Sequence, residues 1–170
     1  LHLGVFMDSE LLGAMQFGPP LQTSHLVGLV EGTRWNGFVE LNRMAFSDRL
    51  PRNSESRALA VSMRLMRKHA PHVQWVVSFA DGTQCGDGAI YRASGFVLTG
   101  VKRNTSLWRT PSGAVVSDVG VRTSENLCRA LGTTGSSASL ASVGCERLAG
   151  FQLRYVYFID PTARERLTVP

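Results

Sequence analysis

Hydrophobic residues in the first fifty positions alternate with polar ones in the manner of β-strands. Apolar runs over residues 1–7 and 10–17 flank Asp8 and Ser9, a pair that predicts a tight antiparallel hairpin. Residues 38–46, FVELNRMAF, predict a longer strand that ends at the polar residues after it. The chain therefore opens with three predicted strands.

A helical period replaces this alternation over residues 52–70. Apolar side chains, among them Ala58 and Val61, recur at helical spacing, and most arginine and lysine residues fall outside that stripe. Asn53 or Ser54 is the predicted N-cap, and basic residues in the last turn suit the negative end of the helix dipole. This is the strongest helix signal in the chain.

Two further strands follow the predicted helix. Residues 73–81 form an apolar run rich in β-branched and aromatic side chains, as expected of a strand covered on both faces. Strand 38–46, the helix and this strand therefore predict a βαβ unit. A short helix within residues 85–95, ended by a glycine, and a strand over 96–103 continue the pattern.

The last third of the chain carries weaker signals. Residues 124–132 predict a short helix with Ser124 as cap and Gly132 as stop. Residues 133–144 predict a loop of small residues, and residues 151–159 predict a final strand.

Composition is typical of one globular domain with an α/β (α+β) fold. The chain has 170 residues, of which 44% are hydrophobic and 18% charged, and no apolar run approaches the roughly 20 residues that span a bilayer. We therefore expect a single domain over residues 1–170 and no membrane association. N-terminal elements of that domain could be missing, because the chain opens at Leu1 rather than at methionine.

The charged and cysteine residues narrow the expected partners and location. A formal net charge of +5 favours an anionic partner such as nucleic acid or a phosphate-bearing cofactor, although many basic proteins bind neither. Three cysteines without a CxxC spacing predict neither a disulfide framework nor a zinc ribbon, so we expect a cytoplasmic location. Whether the chain forms a homodimer is left open.

The order of these elements resembles the core of the GNAT acyltransferases. YRASGF (91–96) is similar to the GNAT segment in which a helical tyrosine precedes a Gly-Phe pair that opens the next strand. The resemblance implies a mixed, mostly antiparallel sheet with a central βαβ unit and flanking helices. It also places residues 40–46 and 50–57 on the strand, loop and helix start that hold CoA in that family.

Elementary electrostatics supports the same placement. Free amides in a first helical turn and the positive end of the helix dipole form an anion site, which Arg52 and Arg57 flank. The glycine-rich loop of the family is absent, and Asn53, Ser54 and Ser56 stand where its glycines are expected. The residues implied for cofactor binding are Met44, Phe46, Arg52, Asn53, Ser54, Glu55, Ser56 and Arg57.

A more specific resemblance is to the Mom proteins of bacteriophages. It covers residues 40–96 and 154–170, and its most specific parts are SFAD (78–81) followed by YRASGF (91–96). This resemblance implies modification of the adenine N6 amine in double-stranded phage DNA to a carbamoyl-type adduct, an anti-restriction activity. Acetyl-CoA is the implied cofactor, and iron, Fe(II) or Fe(III), is a further cofactor of the family.

Three residues near the ends of the predicted strands are candidates for catalysis. Asp81 ends a strand of the βαβ unit, where open α/β sheets place their sites, but an aspartate before glycine is also a common turn residue. Tyr91 could protonate a departing CoA thiolate, or it could be a packing tyrosine. The case for Ser78 as a catalytic residue is weaker, because a serine in a buried strand is usually a small core residue.

Metal and DNA contacts carry fewer sequence signals. Asp81 is the candidate iron ligand, whereas His69 and His72 straddle a helix end and a proline and suit a helix C-terminal cation role better. A basic segment interleaved with Trp108 suits a groove that follows DNA phosphates, and a solvated face would explain it as well. The candidate DNA-binding residues are Arg92, Lys102, Arg103 and Arg109.

Three functions remain open from the sequence. The leading one is a DNA-modifying enzyme that flips adenine out of the duplex, because an N6 amine in the base stack cannot reach a thioester. The second keeps the GNAT fold and acetylates a protein or small-molecule amine. The third is a non-catalytic nucleic-acid-binding module, which rests on charge alone.

Overall fold

A computed structural model describes residues 1–20, 23–83 and 86–169 of the protein. A six-stranded sheet forms the larger part of the fold. Its strands are β1 (His2–Met7), β2 (Glu10–Gly18), β3 (Phe38–Phe46), β4 (Trp75–Asp81), β5 (Val97–Arg103) and β9 (Phe151–Phe158). They lie in the order β1-β2-β3-β4-β9-β5. Two helices connect them, α1 (Ser54–His69) and α2 (Ala89–Ala93).

The predicted hairpin at the start of the chain is confirmed. β1 and β2 pair as antiparallel strands, and the turn residues Asp8 and Ser9 have φ values of 49° and 66°. Positive φ at both central residues is what a two-residue turn needs to match the twist of its strands. β2 then pairs with β3, so that the first three strands form an antiparallel meander.

The predicted βαβ unit is also confirmed. β3 and β4 are parallel, and α1 connects them. The prediction of the α1 cap needs one correction. Asn53 is the N-cap residue by position, but it adopts a left-handed conformation with φ 68° and its side chain makes no capping hydrogen bond.

The sheet buries a hydrophobic core on each face. One core contains the buried side of α1, with Leu59 and Met63, together with Tyr91 of α2 and Tyr155 of β9. The other core forms around Trp75, which stacks on the Phe38 ring at a centroid distance of 4.2 Å. The residues of β4 alternate between these cores, as the two-residue period of a strand requires.

The chain divides into two compact units. The first comprises residues 1–80, 87–101 and 153–170, and the second comprises residues 81–86 and 102–152. The single-domain expectation stays a prediction. Within the described residues, every helix is too short or too polar to cross a bilayer.

The second unit differs most from the sequence prediction. The predicted helix is confirmed as α4 (Glu125–Leu131), with a side-chain cap from Ser124 and a left-handed Gly132. The predicted loop over residues 133–144 is wrong in part, because Ser136 caps a helix there. The elements that the sequence did not predict are β6 (Leu107–Arg109), β7 (Val115–Ser117), α3 (Asp118–Thr123), α5 (Ser137–Ser142) and β8 (Glu146–Arg147).

Candidate functional site

The parallel strands β3 and β4 separate partway along their length. They pair only from Phe38 to Glu40 and from Trp75 to Val77 in the described part of the chain. Beyond these residues β3 remains paired with β2 as far as Phe46. Unpaired backbone groups along the separating edges can bind a ligand instead, since strand N–H and C=O groups require partners. This separation is called the β3–β4 cleft below.

A cavity of about 440 Å³ lies where the loop after β3 enters α1. Two of its walls are the loop and first turn of α1 on one side and Ala89, Ile90 and Ala93 of α2 on the other. Four of the predicted cofactor-binding residues line it: Arg52, Asn53, Glu55 and Ser56. The structure therefore brings half of the predicted set to one place.

The other half of the predicted set lies elsewhere. Ser54 and Arg57 line a separate cavity of about 380 Å³ beside β1, so Arg52 and Arg57 do not flank one common cavity. Met44 and Phe46 are half-buried on β3 and pack against the core that contains α1. They lie beyond Glu40, on the part of β3 that borders the β3–β4 cleft.

The first turn of α1 offers amides to an anion. Backbone N–H groups at the start of a helix have no partner within it, and a capping side chain usually accepts from one of them. Asn53 makes no such hydrogen bond, so the amides of Glu55 and Ser56 are not used by a cap. Arg52 adds positive charge to this cavity, but Asp48 and Glu55 contribute two carboxylates.

Ser78 is the first residue of β4 beyond its pairing with β3. It is 1% exposed, and its Oγ has no hydrogen-bond partner among the described residues. Its side chain lies on the same face as Val76 and Ala80, which belong to the core around α1. A buried hydroxyl left unpaired costs about 1–3 kcal/mol, so this one marks a position where a ligand could supply the partner.

Tyr91 lies in an aromatic cluster rather than at an open surface. It is 9% exposed, and its ring centroid is 5.4 Å from those of Phe96 and Tyr155. The predicted Tyr91 position on a helix before a Gly-Phe pair is confirmed, since α2 ends at Ala93 and β5 follows.

Tyr155 is a neighbour of Tyr91 that sequence reasoning missed. It is fully buried, its hydroxyl donates to the Asp87 carbonyl oxygen at 2.6 Å, and it accepts from Arg92 Nη1 at 2.9 Å. Arg92 also forms a 2.6 Å ion pair with Asp87, and this hydrogen bond lowers the pKa of the Asp87 carboxyl. The contacts fix the start of α2. The sequence signal was the pair of tyrosines in RYVYF, which place Tyr155 and Tyr157 on one face of a strand.

Asp81 is the last residue of β4 and is half-buried. Its Oδ1 accepts from the Thr83 amide at 2.9 Å and from Asn104 Nδ2 at 3.1 Å, the geometry of a turn. Asp81 belongs to the second compact unit, whereas Tyr91 and Ser78 belong to the first.

An iron site does not fit the described residues. No group of three His, Cys, Asp or Glu side chains comes together in residues 1–20, 23–83 and 86–169. Asp81, the predicted iron ligand, instead accepts hydrogen bonds from Thr83 and Asn104. His69 ends α1, as its predicted role at a helix C-terminus requires, and with His72 it lines an apolar cavity of about 610 Å³.

The predicted DNA-binding residues lie on three different elements, and Arg92 is on α2. Lys102 and Arg103 end β5, Arg109 ends β6, and all three are exposed. Arg92 has its charge matched by Asp87. Trp108 is 4% exposed within the core of the second unit, with the Arg147 guanidinium 4.7 Å from its ring centroid. A buried ring cannot stack on a base, so Trp108 is a core residue of the second unit.

Comparison with known proteins decides the family. A model of the Mom protein family matches residues 1–170. The chain belongs to the Mom family. It is 43% identical over 106 residues to a protein named "Methylcarbamoylase mom" from Escherichia phage Mu, an alignment that covers 62% of this chain and 44% of that protein. The aligned part therefore spans less than half the length of this Mom relative.

Solved structures show that this Mom-family chain has a GNAT fold. A GNAT-family acetyltransferase from Bacillus anthracis superposes with a TM-score of 0.51 at 8% identity, over 94% of this chain and 66% of that one. A Bacillus subtilis acetyltransferase, solved in complex with CoA, gives 0.50 at 10% identity, over 92% and 75%. A ribosomal-protein-alanine N-acetyltransferase from Brucella melitensis gives 0.51 at 14% identity, over 92% and 67%. The predicted fold is confirmed.

Proposed function

We propose that this Mom-family protein modifies the exocyclic N6 amine of adenine in double-stranded DNA, forms a carbamoyl-type adduct and uses acetyl-CoA as cofactor. The observation that carries the proposal is the β3–β4 cleft, which opens on the strand that leads into the uncapped first turn of α1. The name of the Mu relative supports the carbamoyl-type adduct. The DNA substrate is what membership of the Mom family implies, given the resemblance described above. Such a modification in the cytoplasm of an infected bacterium would shield phage DNA from restriction.

The cofactor site would use the start of α1. Amides of Glu55 and Ser56, with Arg52 beside them, would hold the pyrophosphate, because helix N-termini bind anions through free N–H groups and the helix dipole. The unpaired Ser78 hydroxyl, buried beside the β3–β4 cleft, would gain a hydrogen-bond partner from the cofactor. When bound, acetyl-CoA supplies a thioester and, on transfer, a thiolate that needs a proton.

The remaining steps would belong to side chains of this chain. In transfer of the acyl group, N6 would bond to the carbonyl carbon as the carbon–sulfur bond breaks. Tyr91 would donate its phenolic proton to the departing sulfur, and Asp81 would orient the N6 amine or accept its proton. The acetyl group contains no nitrogen, so a separate amine donor would have to supply the nitrogen of the carbamoyl-type adduct. The adenine must leave the base stack to reach them, which costs a few kcal/mol. Bringing amine and thioester together would be the main source of rate enhancement. No role is assigned to iron, because the described residues offer no set of ligands.

The proposed function is tested on plasmid DNA from bacteria that express the protein. Mass spectrometry of the digested nucleosides should show a new deoxyadenosine of higher mass, and the Tyr91→Phe variant should show little of it. Unmodified deoxyadenosine, together with acetyl-CoA binding by calorimetry, would point to a protein or small-molecule amine as acceptor. Unmodified deoxyadenosine without acetyl-CoA binding would leave a nucleic-acid-binding module.

Replacing Arg52 and Arg57 together by alanine should weaken acetyl-CoA binding by about 10-fold, since charge-assisted hydrogen bonds contribute roughly 1.5–3 kcal/mol. Calorimetry of the double variant and of each single variant measures this. Because Arg52 lines the 440 Å³ cavity and Arg57 lines the other, Arg52→Ala should account for most of the loss. If the double variant bound acetyl-CoA with the dissociation constant of the parent, this loop would not be the cofactor-binding site.

Ser78→Ala should separate stability from binding. Removing an unpaired buried hydroxyl should leave the melting temperature unchanged or raise it, because no hydrogen bond among the described residues is lost. Acetyl-CoA affinity should fall about 3- to 10-fold, the effect of one hydrogen bond of roughly 1 kcal/mol. Ser62→Ala is a matched control, since its hydroxyl is equally buried but donates to the Ala58 carbonyl oxygen at 2.7 Å. Unchanged acetyl-CoA affinity in Ser78→Ala would show that Ser78 is a core residue with no role in cofactor binding.

Charge reversal at Lys102 and Arg103 should weaken DNA binding and reduce its dependence on salt. Each lost phosphate contact should lower the slope of log affinity against log salt by about 0.9. Adjacent strand residues point to opposite faces, so Lys102→Glu and Arg103→Glu, tested singly, should differ in effect. Arg92 should contribute least among the four predicted residues, because Asp87 already matches its charge. Equal salt slopes for the double variant and the parent would place the DNA elsewhere.

A further inference from the structure

Arg154 is held in a fixed position on β9. Its Nε donates to Thr99 Oγ1 at 3.1 Å, and its Nη2 donates to the Thr99 carbonyl oxygen at 2.8 Å. Thr99 Oγ1 in turn donates to the Arg154 carbonyl oxygen at 3.3 Å. Thr99 is 6% exposed and lies on β5, an edge strand of the six-stranded sheet. The donors along the Nε–Nη2 edge of the guanidinium are therefore already hydrogen-bonded within the protein.

The opposite edge of the guanidinium is free to bind. A guanidinium carries five N–H donors in a planar fork, and the two contacts with Thr99 use only Nε and one N–H of Nη2. Arg154 Nη1 has no hydrogen bond among the described residues. The Nη1 and Nη2 donors at the end of the fork match the spacing of two phosphate oxygens.

Gly100 makes room for the guanidinium. A Cβ atom at this position would lie 3.1 Å from Arg154 Nη2 and 3.3 Å from its Cζ, which is tighter than ordinary packing. The absence of a side chain at Gly100 thus allows the fork to lie against the backbone of β5.

No carboxylate among residues 1–20, 23–83 and 86–169 forms an ion pair with Arg154. The ion pairs of the described residues join Arg49 to Glu10, Arg92 to Asp87 and Arg122 to Asp118, and none of them includes Arg154. Half-burial lowers the pKa of the Arg154 guanidinium, and no acidic side chain offsets that effect. A cation that is ordered, partly desolvated and unpaired is prepared for an anion from outside the chain.

Arg154 lies on the face of the sheet opposite to the cofactor loop. Tyr155 and Tyr157 belong to the core around α1 and α2, whereas Val156 belongs to the core on the other face. Strand alternation puts Arg154 on the same face as Val156. The cavity at the start of α1, lined by residues of α1 and α2, lies on the first face. An anion at Arg154 is therefore not the pyrophosphate held there.

We infer that Arg154 binds a phosphate of the DNA backbone through the Nη1–Nη2 edge of its guanidinium. This inference rests on the proposed function, which supplies the DNA. Thr99 and Gly100 orient the fork, so that little side-chain entropy is lost on binding. Of the arginines predicted to bind DNA, Arg92 is already paired with Asp87, and no hydrogen bond among the described residues fixes the guanidinium of Arg103 or Arg109.

The test is the salt dependence of binding to duplex DNA, measured by fluorescence anisotropy for the parent and three variants. Arg154→Met should weaken binding about 10-fold at low salt and reduce the slope of log affinity against log salt by about 0.9. Arg154→Lys keeps the charge and should retain the parent slope. Arg49→Met removes one positive charge that is already paired with Glu10, so it should leave the slope unchanged. Acetyl-CoA affinity should be the same in all four proteins.

Several results would overturn the inference. A folded Arg154→Met variant with the parent slope would do so, as would an acetyl-CoA affinity that falls in step with DNA affinity, since the anion would then belong to the cofactor. A parent that fails to bind duplex DNA would overturn the DNA partner of the proposed function itself. If Arg154→Met does not fold, Arg154→Gln, which keeps a polar group beside Thr99, serves in its place.

Discussion

Replacement of Tyr91 by phenylalanine is expected to lower the rate of DNA modification by about 10²-fold or more. The substitution removes one hydroxyl and leaves the ring, which packs between Phe96 and Tyr155. Because the ring supplies the packing, cooperative melting and acetyl-CoA affinity should stay close to those of the parent. Without the phenolic proton, the departing thiolate must take a proton from water, and the loss should appear in the rate of transfer.

Tyr155→Phe is the matched control for this prediction. It deletes the same group from a neighbouring ring, whose hydroxyl donates to the Asp87 carbonyl oxygen and accepts from Arg92. Its loss should therefore cost stability, about 1 kcal/mol, with little change in rate. Tyr91→Phe should thus lower the modified fraction of plasmid adenine. Tyr155→Phe should instead lower the melting temperature and leave the modified fraction nearly unchanged. Full modification by folded Tyr91→Phe would leave this residue as a packing tyrosine.

Asp81→Asn is expected to abolish modification without unfolding the turn in which Asp81 lies. Both hydrogen bonds that Asp81 receives, from the Thr83 amide and from Asn104, end on Oδ1. An asparagine keeps an oxygen acceptor at that position and removes only the charge. A carboxylate that accepts the proton of the amine cannot be replaced by an amide, so the rate should fall by about 10²-fold or more.

The turn itself is tested by Asn104→Ala. This variant removes the donor and leaves the Asp81 carboxylate intact, so it should lower the melting temperature while the folded protein still modifies DNA. Nucleoside mass spectrometry and thermal melting, applied to both variants, separate charge from structure. Parent-level modification by Asp81→Asn would make Asp81 a turn residue alone.

Local patterns predicted the first half of the fold well. The alternation of FVELNRMAF predicted β3 to the residue, and the pair Asp8 and Ser9 predicted the hairpin turn. These elements are long and strongly periodic, so their residues specify them without help from distant parts of the chain. The resemblance to GNAT proteins added that these elements form a mixed, mostly antiparallel sheet with flanking helices.

The second unit was predicted poorly for a physical reason. β6 has three residues, and it exists because Trp108 lies opposite Val116 in β7 and Arg147 in β8. Such short strands depend on their partners and carry little periodicity of their own. Burial of Trp108 follows from the same pairing, so the sequence alone suggested an exposed basic and aromatic segment instead.

The sequence indicated what type of site to expect but not how its residues are arranged in space. The sequence indicated a helix start that could bind an anion, because this depends on local backbone chemistry. It did not reveal that β3 and β4 separate after Glu40 and Val77, since strand pairing joins residues far apart in the chain. The unpaired hydroxyl of Ser78 and the contacts of Arg154 with Thr99 likewise depend on strands that are distant in sequence.

The position of β9 in the sheet dictates the order of assembly. β9 lies between β4 and β5, although it follows both in the chain. Until residues 151–158 leave the ribosome, β4 keeps an open edge rich in apolar side chains, which is prone to pair with other chains. The same strand brings Tyr155 to Tyr91. A nascent chain therefore stays vulnerable to aggregation until β9 has been made.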